Sequence, residues 1–404
     1  MKTAGDIARR IIFHALGGVR GGEVVLRYPD GRGRRFGDGD GPSYVVEVRR
    51  PDDLWAKLAF RTRITLGRSY VDGDWDCDDL VGLFSLLGRN LSQGDDHPVV
   101  SLVQRLQRLR PDPSQRQTEA AARDNIHAHY DLGNELFAVM LDPTMAYSCA
   151  IWNEPGLTLE EAQHAKFRLV AEKLQLGPDD HLLEIGCGWG GLAIQAAREH
   201  GCRVTALTIS PAQAELARER VIEAGVTELV EIVERDYRLV DGSFSRIVSI
   251  EMLEAIGYAE YDKYFATIDR LLAPNGIALI QVIGMPDAKF ERYRRTPDWI
   301  QQYIFPGSLL PSLEVLTRSV ARTKLVFHDV EEIGAHYAPT LRAWRANVDA
   351  NLDRIRELGY DERFVRVWQF YLAYCESAFA IRSIRNMQLV LTRAFNDRLP
   401  APAA

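Results

Sequence analysis

The chain has 404 residues, of which 46% are hydrophobic and 26% are charged, and its formal net charge is −7. This length favours two domains or one large domain with an appendage, and the acidic balance argues against a general nucleic-acid-binding protein. The five cysteines, Cys77, Cys149, Cys187, Cys202 and Cys375, form neither a CxxC pair nor a metal-ligand cluster. We therefore expect no metal site, no disulfide framework and a cytoplasmic location.

The N-terminal part of the chain predicts a small α+β domain. Residues 23–49 alternate in polarity and carry Asp-Gly pairs, which are typical of turns between strands. Residues 50–95 are predicted to be mostly helical. A polar, basic stretch over 96–119 follows, and Pro111 and Pro113 act there as breakers.

These shifts in composition divide the chain into three parts. We expect an N-terminal α+β domain over 1–110, a linker over 111–125 and a second domain over 126–404. The first residues lack the apolar region and cleavage site of a signal peptide. No window approaches the roughly 18 uninterrupted apolar residues of a spanning helix, so the sequence predicts no membrane-spanning segment.

From residue 170 onward, predicted strands and helices alternate. Apolar runs predict strands over 181–188, 202–210, 230–236, 244–253, 276–284 and 386–395. Helices are predicted over 191–201, 211–225 and 261–276. Such a series predicts a mostly parallel sheet with helices on both faces, and ligands at the carboxyl ends of its strands.

A cluster of glycines follows the first of these strands directly, at Gly186, Gly188, Gly190 and Gly191. Glycine lets the backbone turn sharply and approach a ligand closely, and the next helix presents free N–H groups at its start. The cluster therefore predicts a nucleotide or adenosyl ligand. It also matches the G-x-G-x-x-G pattern, but the second strand does not end in the acidic residue that NAD binding requires. An NAD-dependent oxidoreductase is thus a distant alternative.

Several motifs carry a resemblance to a known family. At LLEIGCGWGGLAIQAA the chain resembles class I methyltransferases, in which this loop holds S-adenosylmethionine (AdoMet). The segments HYDLGNELFAVMLDPTMAYSCAIW (129–152), GLTLEEAQHAKF (156–167), SIEMLEAIG (249–257) and DWIQQYIFPGSLLPS (298–312) resemble the cyclopropane-fatty-acyl-phospholipid synthase family. So does YLAYCESAFAIRSIRNMQLVL near the C-terminus, and the resemblance covers about 120–395.

The resemblance implies the fold, the cofactor and the reaction. The expected fold is an α/β class I methyltransferase with a Rossmann-like sheet and helical insertions. The expected activity is methyl transfer from AdoMet to the double bond of an unsaturated phospholipid acyl chain, which forms a cyclopropane. The residues implied to contact the cofactor are Tyr147, Ser148, Glu184, Gly186, Gly188, Gly190, Thr208, Ser210, Gln213, Asp236 and Tyr237. Taken by itself, Tyr147 is more typical of a packed core aromatic residue.

Methyl transfer to an alkene leaves a carbocation that must lose a proton, and the resemblance implies bicarbonate as the proton acceptor. The family's anion cradle corresponds to Cys149, Glu254, Gln281, Ile283 and Tyr337 in this chain. The implied catalytic residues are Cys149, Glu254, Gln281, Tyr337 and Cys375, although Cys375 is more typical of a packing residue.

The chain departs from the family pattern at two positions. Many members carry His where this chain has Gln281, and often His where it has Ala255. A glutamine can donate a hydrogen bond but cannot take up a proton. Two outcomes therefore stay open, a cyclopropane and a methylene or methyl-branched chain, and the latter would call for a reductase partner.

A lipid substrate implies peripheral docking at the inner face of the cell membrane. Arg105, Arg108 and Arg110 form one candidate basic patch. Arg292, Arg294 and Arg295 form another, with Phe290, Tyr293 and Trp299 as aromatic neighbours that suit an interface. Both patches equally fit solvated charged faces. The N-terminal domain is expected to dock on the membrane or to mediate formation of a homo-oligomer.

Two other functions compete with lipid methylation. Some relatives of the family methylate the nitrogen of a small amine, which needs neither a membrane nor an anion cradle. The Gln281 departure also fits a non-catalytic lipid- or cofactor-binding protein.

Overall fold

The computed structural model describes residues 4–59, 62–93, 133–296, 298–396 and 399. The chain divides into two compact units. The first unit is drawn from Met1–Asp112, Arg292–Ile304 and Trp344–Ser383. The second, called here the sheet unit, is drawn from Pro113–Glu291, Phe305–Ala343 and Ile384–Ala404. The predicted linker over 111–125 and the basic patch at Arg105, Arg108 and Arg110 lie outside the described residues.

The N-terminal part of the first unit is a small α+β structure, as the sequence predicts. Its elements are α1 (Ala4–Gly17), β1 (Glu23–Arg27), β2 (Gly33–Gly37), β3 (Ser43–Val48), α2 (Pro51–Leu58), α3 (Thr62–Val71), β4 (Trp75–Cys77) and α4 (Leu80–Gln93). The sheet order is β2-β1-β3-β4, with β1 antiparallel to β2 and parallel to β3. The three-residue strand β4 was not predicted.

The segment 133–296 contains most of the sheet unit. Its elements are α5 (Asn134–Met140), α6 (Leu159–Leu174), β5 (His181–Ile185), α7 (Gly191–His200), β6 (Arg203–Thr208), α8 (Pro211–Glu223), β7 (Val230–Glu234), β8 (Phe244–Ile250), α9 (Tyr261–Leu271), β9 (Leu272–Gly284) and α10 (Asp287–Arg294). Local signals begin the helices: Thr158 and Glu161 form a capping box before α6, and Ser210 caps α8 ahead of Pro211.

The last part of the chain alternates between the two units. Its elements are α11 (Trp299–Tyr303), α12 (Leu313–Val320), β10 (Leu325–Glu332), α13 (Tyr337–Ala350), α14 (Leu352–Glu357), α15 (Glu362–Ala380) and β11 (Arg385–Arg393). The sequence assigned all of 126–404 to one domain, whereas the structure groups 292–304 and 344–383 with the N-terminal segment. Helix α15 makes specific contacts there: Arg366 donates to the carbonyl oxygens of Tyr70 and Trp75.

The seven-stranded sheet confirms the predicted class I methyltransferase fold. Its order is β10-β11-β9-β8-β5-β6-β7. Strands β5 to β9 are parallel to one another, whereas β11 is antiparallel to both β9 and β10. The central strands are buried, and Leu182, Val204, Val248, Leu279 and Val390 belong to one hydrophobic core. This order brings the carboxyl ends of β5, β6 and β8 to one edge.

Two boundaries differ from the sequence prediction. Helix α9 ends at Leu271 rather than at residue 276, and Leu272 already has extended backbone angles. Pro274 stops the helix from continuing, because a proline has no N–H to donate to the carbonyl of Arg270 and its ring would clash with that carbonyl. Strand β10 was missed because its sequence, LVFHDVEE, is mostly exposed and lacks an apolar run.

The proposed aromatic membrane anchors are partly wrong. Phe290 and Trp299 are each only 2% exposed, so they cannot present their rings to a bilayer. Phe290 packs near Tyr258, and Trp299 stacks on Tyr303. Within the described ranges, no helix is long and apolar enough to cross a membrane.

Candidate active site

The glycine loop between β5 and α7 has the conformation that its sequence requires. Gly186, Gly188 and Gly190 all have positive φ angles, of 84°, 53° and 79°, a region that favours glycine. The N–H groups of Gly186 and Cys187 donate to the carbonyl oxygen of Leu207, which fixes the loop to β6. A Cβ atom added at Gly188 would meet nothing within 4 Å, so the loop faces open space at this residue.

Polar side chains cluster at the carboxyl end of β6. The hydroxyl of Thr208 donates to Oε1 of Gln213 at 2.8 Å. Ser210 donates its backbone N–H to Oγ1 of Thr208 and accepts from the backbone N–H of Gln213. All three side chains are buried, so the sequence-predicted group forms a preorganised neutral polar surface.

Asp236 and Tyr237 follow β7. Asp236 accepts hydrogen bonds from the backbone N–H and the guanidinium of Arg238. Burial alone would raise the pKa of Asp236, but these bonds outweigh it and hold the pKa below its usual value. Tyr237 is buried, and its hydroxyl has no hydrogen-bond partner among the described residues.

A buried lysine supports the segment that carries Tyr147 and Ser148. The ammonium of Lys166, on α6, donates to Oγ of Ser148 at 2.6 Å. Lys166 is fully buried, and this burial lowers the pKa of its ammonium to about 8. The ring of Tyr147 lies 5.3 Å from that of Phe137, which partly accounts for the packing expected of this aromatic residue. Sequence reasoning missed Lys166.

Glu184 is the second-last residue of strand β5, just before the glycine loop. It is 4% exposed, and its burial raises the pKa of the carboxyl to about 8. Within the part of the chain that the structure describes, Oε2 of Glu184 has no hydrogen-bond partner. A buried carboxyl oxygen without a partner is costly, so its position beside the loop fits a residue that completes its bonding with a polar ligand.

The predicted anion cradle already surrounds a carboxylate of the chain itself. Glu251, immediately after β8, accepts at Oε1 from the backbone N–H of Cys149 (3.1 Å) and from Nε2 of Gln281 (2.8 Å). Its Oε2 accepts from the hydroxyl of Tyr337 at 2.7 Å. Asn386, on β11, adds a fourth bond to Oε1 at 2.6 Å. Three of the predicted cradle residues thus converge on Glu251.

The backbone at Glu251 supports the view that its position is functionally specific. Its φ angle is 52°, a left-handed conformation that costs a residue other than glycine roughly 1–3 kcal/mol. The N–H of Glu251 donates to the carbonyl oxygen of Gln281, which joins the turn to β9. Strain of this kind persists only where the surrounding contacts determine the conformation.

The remaining cradle residues, Glu254 and Ile283, form a second contact beside the first. Oε1 of Glu254 accepts the backbone N–H of Ile283 at 2.5 Å, whereas Oε2 has no partner among the described residues. Burial, reinforced by the negative charge of Glu251, raises the pKa of Glu254 to about 8. Glu254 is therefore largely a neutral acid at neutral pH.

Gln281 has a role that explains the departure from histidine. Its Oε1 accepts from Nε2 of Gln388 at 3.0 Å, and its Nε2 donates to Glu251. Both glutamines are fully buried. The amide of Gln281 therefore bridges a donor and an acceptor at once, as a carboxylate-orienting residue requires.

The two candidate cysteines differ in position. Cys149 lies at the cradle, but its backbone N–H, not its thiol, contacts Glu251. Its thiol is fully buried, which raises its pKa well above the usual value. Cys375 lies on α15 in the first unit, whereas the other candidates belong to the sheet unit. Burial also raises the pKa of the Cys375 thiol.

Sequence reasoning missed Glu251, Asn386 and Gln388. The available signal was SIEMLEAIG, in which Glu251 stands directly at a strand end and Glu254 follows three residues later. No cluster of three His, Cys, Asp or Glu side chains suited to a metal occurs within the described ranges.

Comparison with known proteins places this chain in a family. The family model described as mycolic acid cyclopropane synthetase matches residues 117–389. A tuberculostearic acid methyltransferase of Mycobacterium tuberculosis is 38% identical over 91% of this chain and 87% of its own. A cyclopropane-fatty-acyl-phospholipid synthase of Escherichia coli is 38% identical over 88% of this chain and 89% of its own.

Solved structures agree with the sequence matches. A cyclopropane synthase from Mycobacterium tuberculosis has a TM-score of 0.63 and 30% identity, and the match covers 67% of this chain and 98% of that one. A mycolic acid cyclopropane synthase complexed with SAH and CTAB has a TM-score of 0.63 and 32% identity, with the same coverage. A coclaurine N-methyltransferase, at 22% identity and a TM-score of 0.64, shares the fold.

Proposed function

The chain belongs to the mycolic acid cyclopropane synthetase family and is an AdoMet-dependent methyltransferase, and we propose that its methyl acceptor is the double bond of an unsaturated phospholipid acyl chain. The product is a cyclopropane-containing acyl chain. The observation that carries this proposal is the cradle of hydrogen-bond donors from Cys149, Gln281 and Tyr337, which surrounds the end of β8 next to the strand that leads into the glycine loop. Alkene methylation demands a proton acceptor held at such a cradle, because the cation must lose a proton from carbon.

The residues at the strand ends fit the cofactor. The open space at Gly188 allows close approach, and the buried Oε2 of Glu184 requires a polar partner. The neutral polar cluster of Thr208, Ser210 and Gln213 suits hydrogen bonding to hydroxyl groups of the cofactor. Tyr147, Ser148, Asp236 and Tyr237 complete the set proposed to hold AdoMet, which supplies a methyl group on a sulfonium centre when bound.

The protein's part in the reaction is to position the alkene against the methyl group and to exclude water. A weakly nucleophilic alkene reacts only when it is held in line with the methyl group. The buried surroundings of Cys149, Glu254 and Gln281 keep water from the cation. Lys166 fixes Ser148, and the fixed Gln281 amide orients Glu251.

A second product is supported by one comparison. The tuberculostearic acid methyltransferase matches this chain at the same 38% identity as the cyclopropane-fatty-acyl-phospholipid synthase. A methylene or methyl-branched acyl chain is therefore kept as the alternative product, with a reductase as partner. An amine acceptor has weaker support, because the likeness to the N-methyltransferase extends to the fold alone.

We propose a cytoplasmic enzyme that acts at the inner surface of the cell membrane. Arg292, Arg294 and Arg295 stay candidates for contact with anionic lipid, without the buried rings of Phe290 and Trp299. The role of the N-terminal α+β domain in docking or in homo-oligomer formation stays a prediction.

The test is lipid analysis of a bacterial host that lacks its own synthase, expresses this chain and is fed oleate. We expect a new acyl chain that is heavier than oleate by one CH₂ group. Its fragmentation distinguishes a ring from a methylene branch. A folded protein that binds AdoMet but forms no new lipid would contradict the proposed acceptor.

A further inference from the structure

We propose that the carboxylate of Glu251 is the proton acceptor of the reaction and takes the place of the bicarbonate that the family resemblance implies. This inference rests on the proposed function, because it assumes an alkene as the methyl acceptor. It adds a catalytic residue outside the anion cradle predicted from the sequence. It also removes the need for a bound inorganic anion.

The donors of the predicted cradle are already used by the chain itself. The backbone N–H of Cys149, the amide of Gln281 and the hydroxyl of Tyr337 all donate to Glu251. Ile283 donates its N–H to Glu254 instead. A bicarbonate ion would need these same donors and would have to displace a carboxylate from them.

The charges around Glu251 also disfavour a bound anion. A bound anion beside Glu251 would face a like charge in a largely buried site, which is unfavourable. Glu254 offers no compensation, because it is an acid beside the same position. Lys166 is the buried cation whose charge interacts with Glu251, and its ammonium is directed to Ser148. A second anion would therefore enter a site in which the charge of Lys166 is already shared among Glu251, Asp142 and Glu184.

The hydrogen bonds of Glu251 distinguish the oxygen that accepts the proton from the other carboxylate oxygen. Oε1 of Glu251 receives three hydrogen bonds, from Cys149, Gln281 and Asn386. Among the described residues, Oε2 receives one, from Tyr337. A carboxylate oxygen has two lone pairs, so Oε2 retains a lone pair to accept a proton. Glu251 is half-buried, whereas Gln281 and Asn386 are fully buried.

The chemical step balances without an external reagent. The alkene's π electrons form the new C–C bond, and the S–C electron pair stays on sulfur. The resulting carbocation loses a proton from the new methyl group to Oε2 of Glu251, and the C–H electron pair closes the three-membered ring. A sulfonium and a carboxylate thus become a thioether and a carboxylic acid. Glu251 returns its proton to water before the next turnover.

The wild-type protein gives the first test. Turnover is measured with AdoMet and vesicles of dioleoylphosphatidylglycerol in CO₂-free buffer, with lipid mass analysis as readout. We expect full activity that added bicarbonate does not change. Lipid product that forms only when bicarbonate is present would overturn the inference but not the proposed function. Wild-type protein that binds AdoMet and forms no lipid product would overturn both.

Two variants sharpen the test. We expect Glu251→Gln to lower turnover by about 10²–10⁴-fold, the usual contribution of a positioned base, with unchanged AdoMet affinity. Glu251→Gly should remove the carboxylate from the cradle, and glycine tolerates the positive φ angle. Added bicarbonate should therefore raise the turnover of this variant at least about tenfold, whereas the same concentration of chloride should not.

The matched control is Glu231→Gln, which alters an exposed carboxylate on β7 and should leave turnover unchanged. Near-normal turnover in Glu251→Gln would overturn the assignment. A Glu251→Gly protein that folds and binds AdoMet but gains nothing from bicarbonate would also count against it. Neither variant is needed for the wild-type comparison, so misfolding of one leaves the proposal testable.

Discussion

Glu251 and Glu254 stand three residues apart after the same strand, yet their hydrogen-bond surroundings differ. Glu251 accepts four hydrogen bonds, whereas Glu254 accepts one backbone N–H and is 7% exposed. Donors stabilise an ionised carboxylate, and burial without them favours the neutral acid. Paired carboxyl groups with divergent environments are a general way of assigning different roles to the same residue type.

The raised pKa of Glu254 predicts a pH dependence of stability. Burial and the charge of Glu251 raise this pKa from 4.5 to about 8. The folded protein therefore holds more protons than the unfolded chain between these values, and its free energy of unfolding falls as pH rises through that window. We expect Glu254→Gln to reduce the fall between about pH 5 and pH 7.5 by on the order of 1 kcal/mol.

Denaturant unfolding at the two pH values measures this difference. Glu184 contributes a fall of the same sign, because burial raises its pKa to about 8 as well, so part of the slope should survive in the variant. A Glu254→Gln protein with the wild-type slope would show that Glu254 is already ionised in the folded state.

At the scale of elements, the turn from β5 to α7 is where backbone conformation and ligand access depend on the same residue. Gly188 has a φ angle of 53° and faces open space. We expect Gly188→Val to weaken AdoMet binding at least about tenfold, because a branched side chain would enter that space and strain the turn. Isothermal titration with AdoMet measures the affinity.

Gly225 supplies a matched control for the loop variant. It follows α8, has a φ angle of 69° and likewise faces open space. Gly225→Val should therefore carry a similar backbone strain, of about 1–2 kcal/mol, without a change in AdoMet affinity. Equal losses of affinity in the two variants would mean that strain, not intrusion into the cofactor site, causes the effect.

The elements differ in how far their sequences predict them. Apolar runs predict the buried strands β5, β6 and β8. Ser210 and Pro211 predict the start of helix α8. The polar residues at their ends could also be placed at one sheet edge. Strand β10 could not, because its pairing with β11 depends on a distant partner rather than on its own apolar pattern.

The contents of the anion cradle were beyond the sequence for a similar reason. Cys149, Glu251, Gln281 and Asn386 come from four separate parts of the chain. Their motif positions indicate that they belong near the site. Only the register of β9 with β11, which pairs Gln388 with Gln281, determines which side chain the donors face. A resemblance therefore implied an external anion where the fold supplies an internal one.

At the scale of the whole molecule, sequence order and compact units do not coincide. The first unit combines the N-terminal sheet with α15. Arg366 on α15 contacts Tyr70, although the two residues are nearly 300 positions apart along the chain. Phe370 on α15 also packs against Phe84 and Tyr70. Closing such a long loop costs conformational entropy, and the contacts of α15 with the N-terminal elements must together offset that cost for the unit to form.

Arg366 joins α15 to the N-terminal elements through several contacts of its guanidinium group. Its guanidinium donates to the carbonyl oxygens of Tyr70 and Trp75, pairs with Asp76 at 3.2 Å and lies 4.0 Å from the centroid of the Tyr70 ring. The side chain is 12% exposed. We expect Arg366→Met to destabilise the protein by about 2–4 kcal/mol, because it leaves buried acceptors without donors.

Arg356→Met is the matched control for Arg366→Met, since Arg356 also pairs with carboxylates but is 47% exposed. An exposed ion pair contributes at most about 1 kcal/mol, so this variant should unfold at nearly the wild-type denaturant concentration. Denaturant titrations followed by circular dichroism compare the two. If Arg366→Met were no more harmful than Arg356→Met, the union of α15 with the N-terminal sheet would have to rest on its aromatic packing, and Phe370→Ala would become the more damaging change.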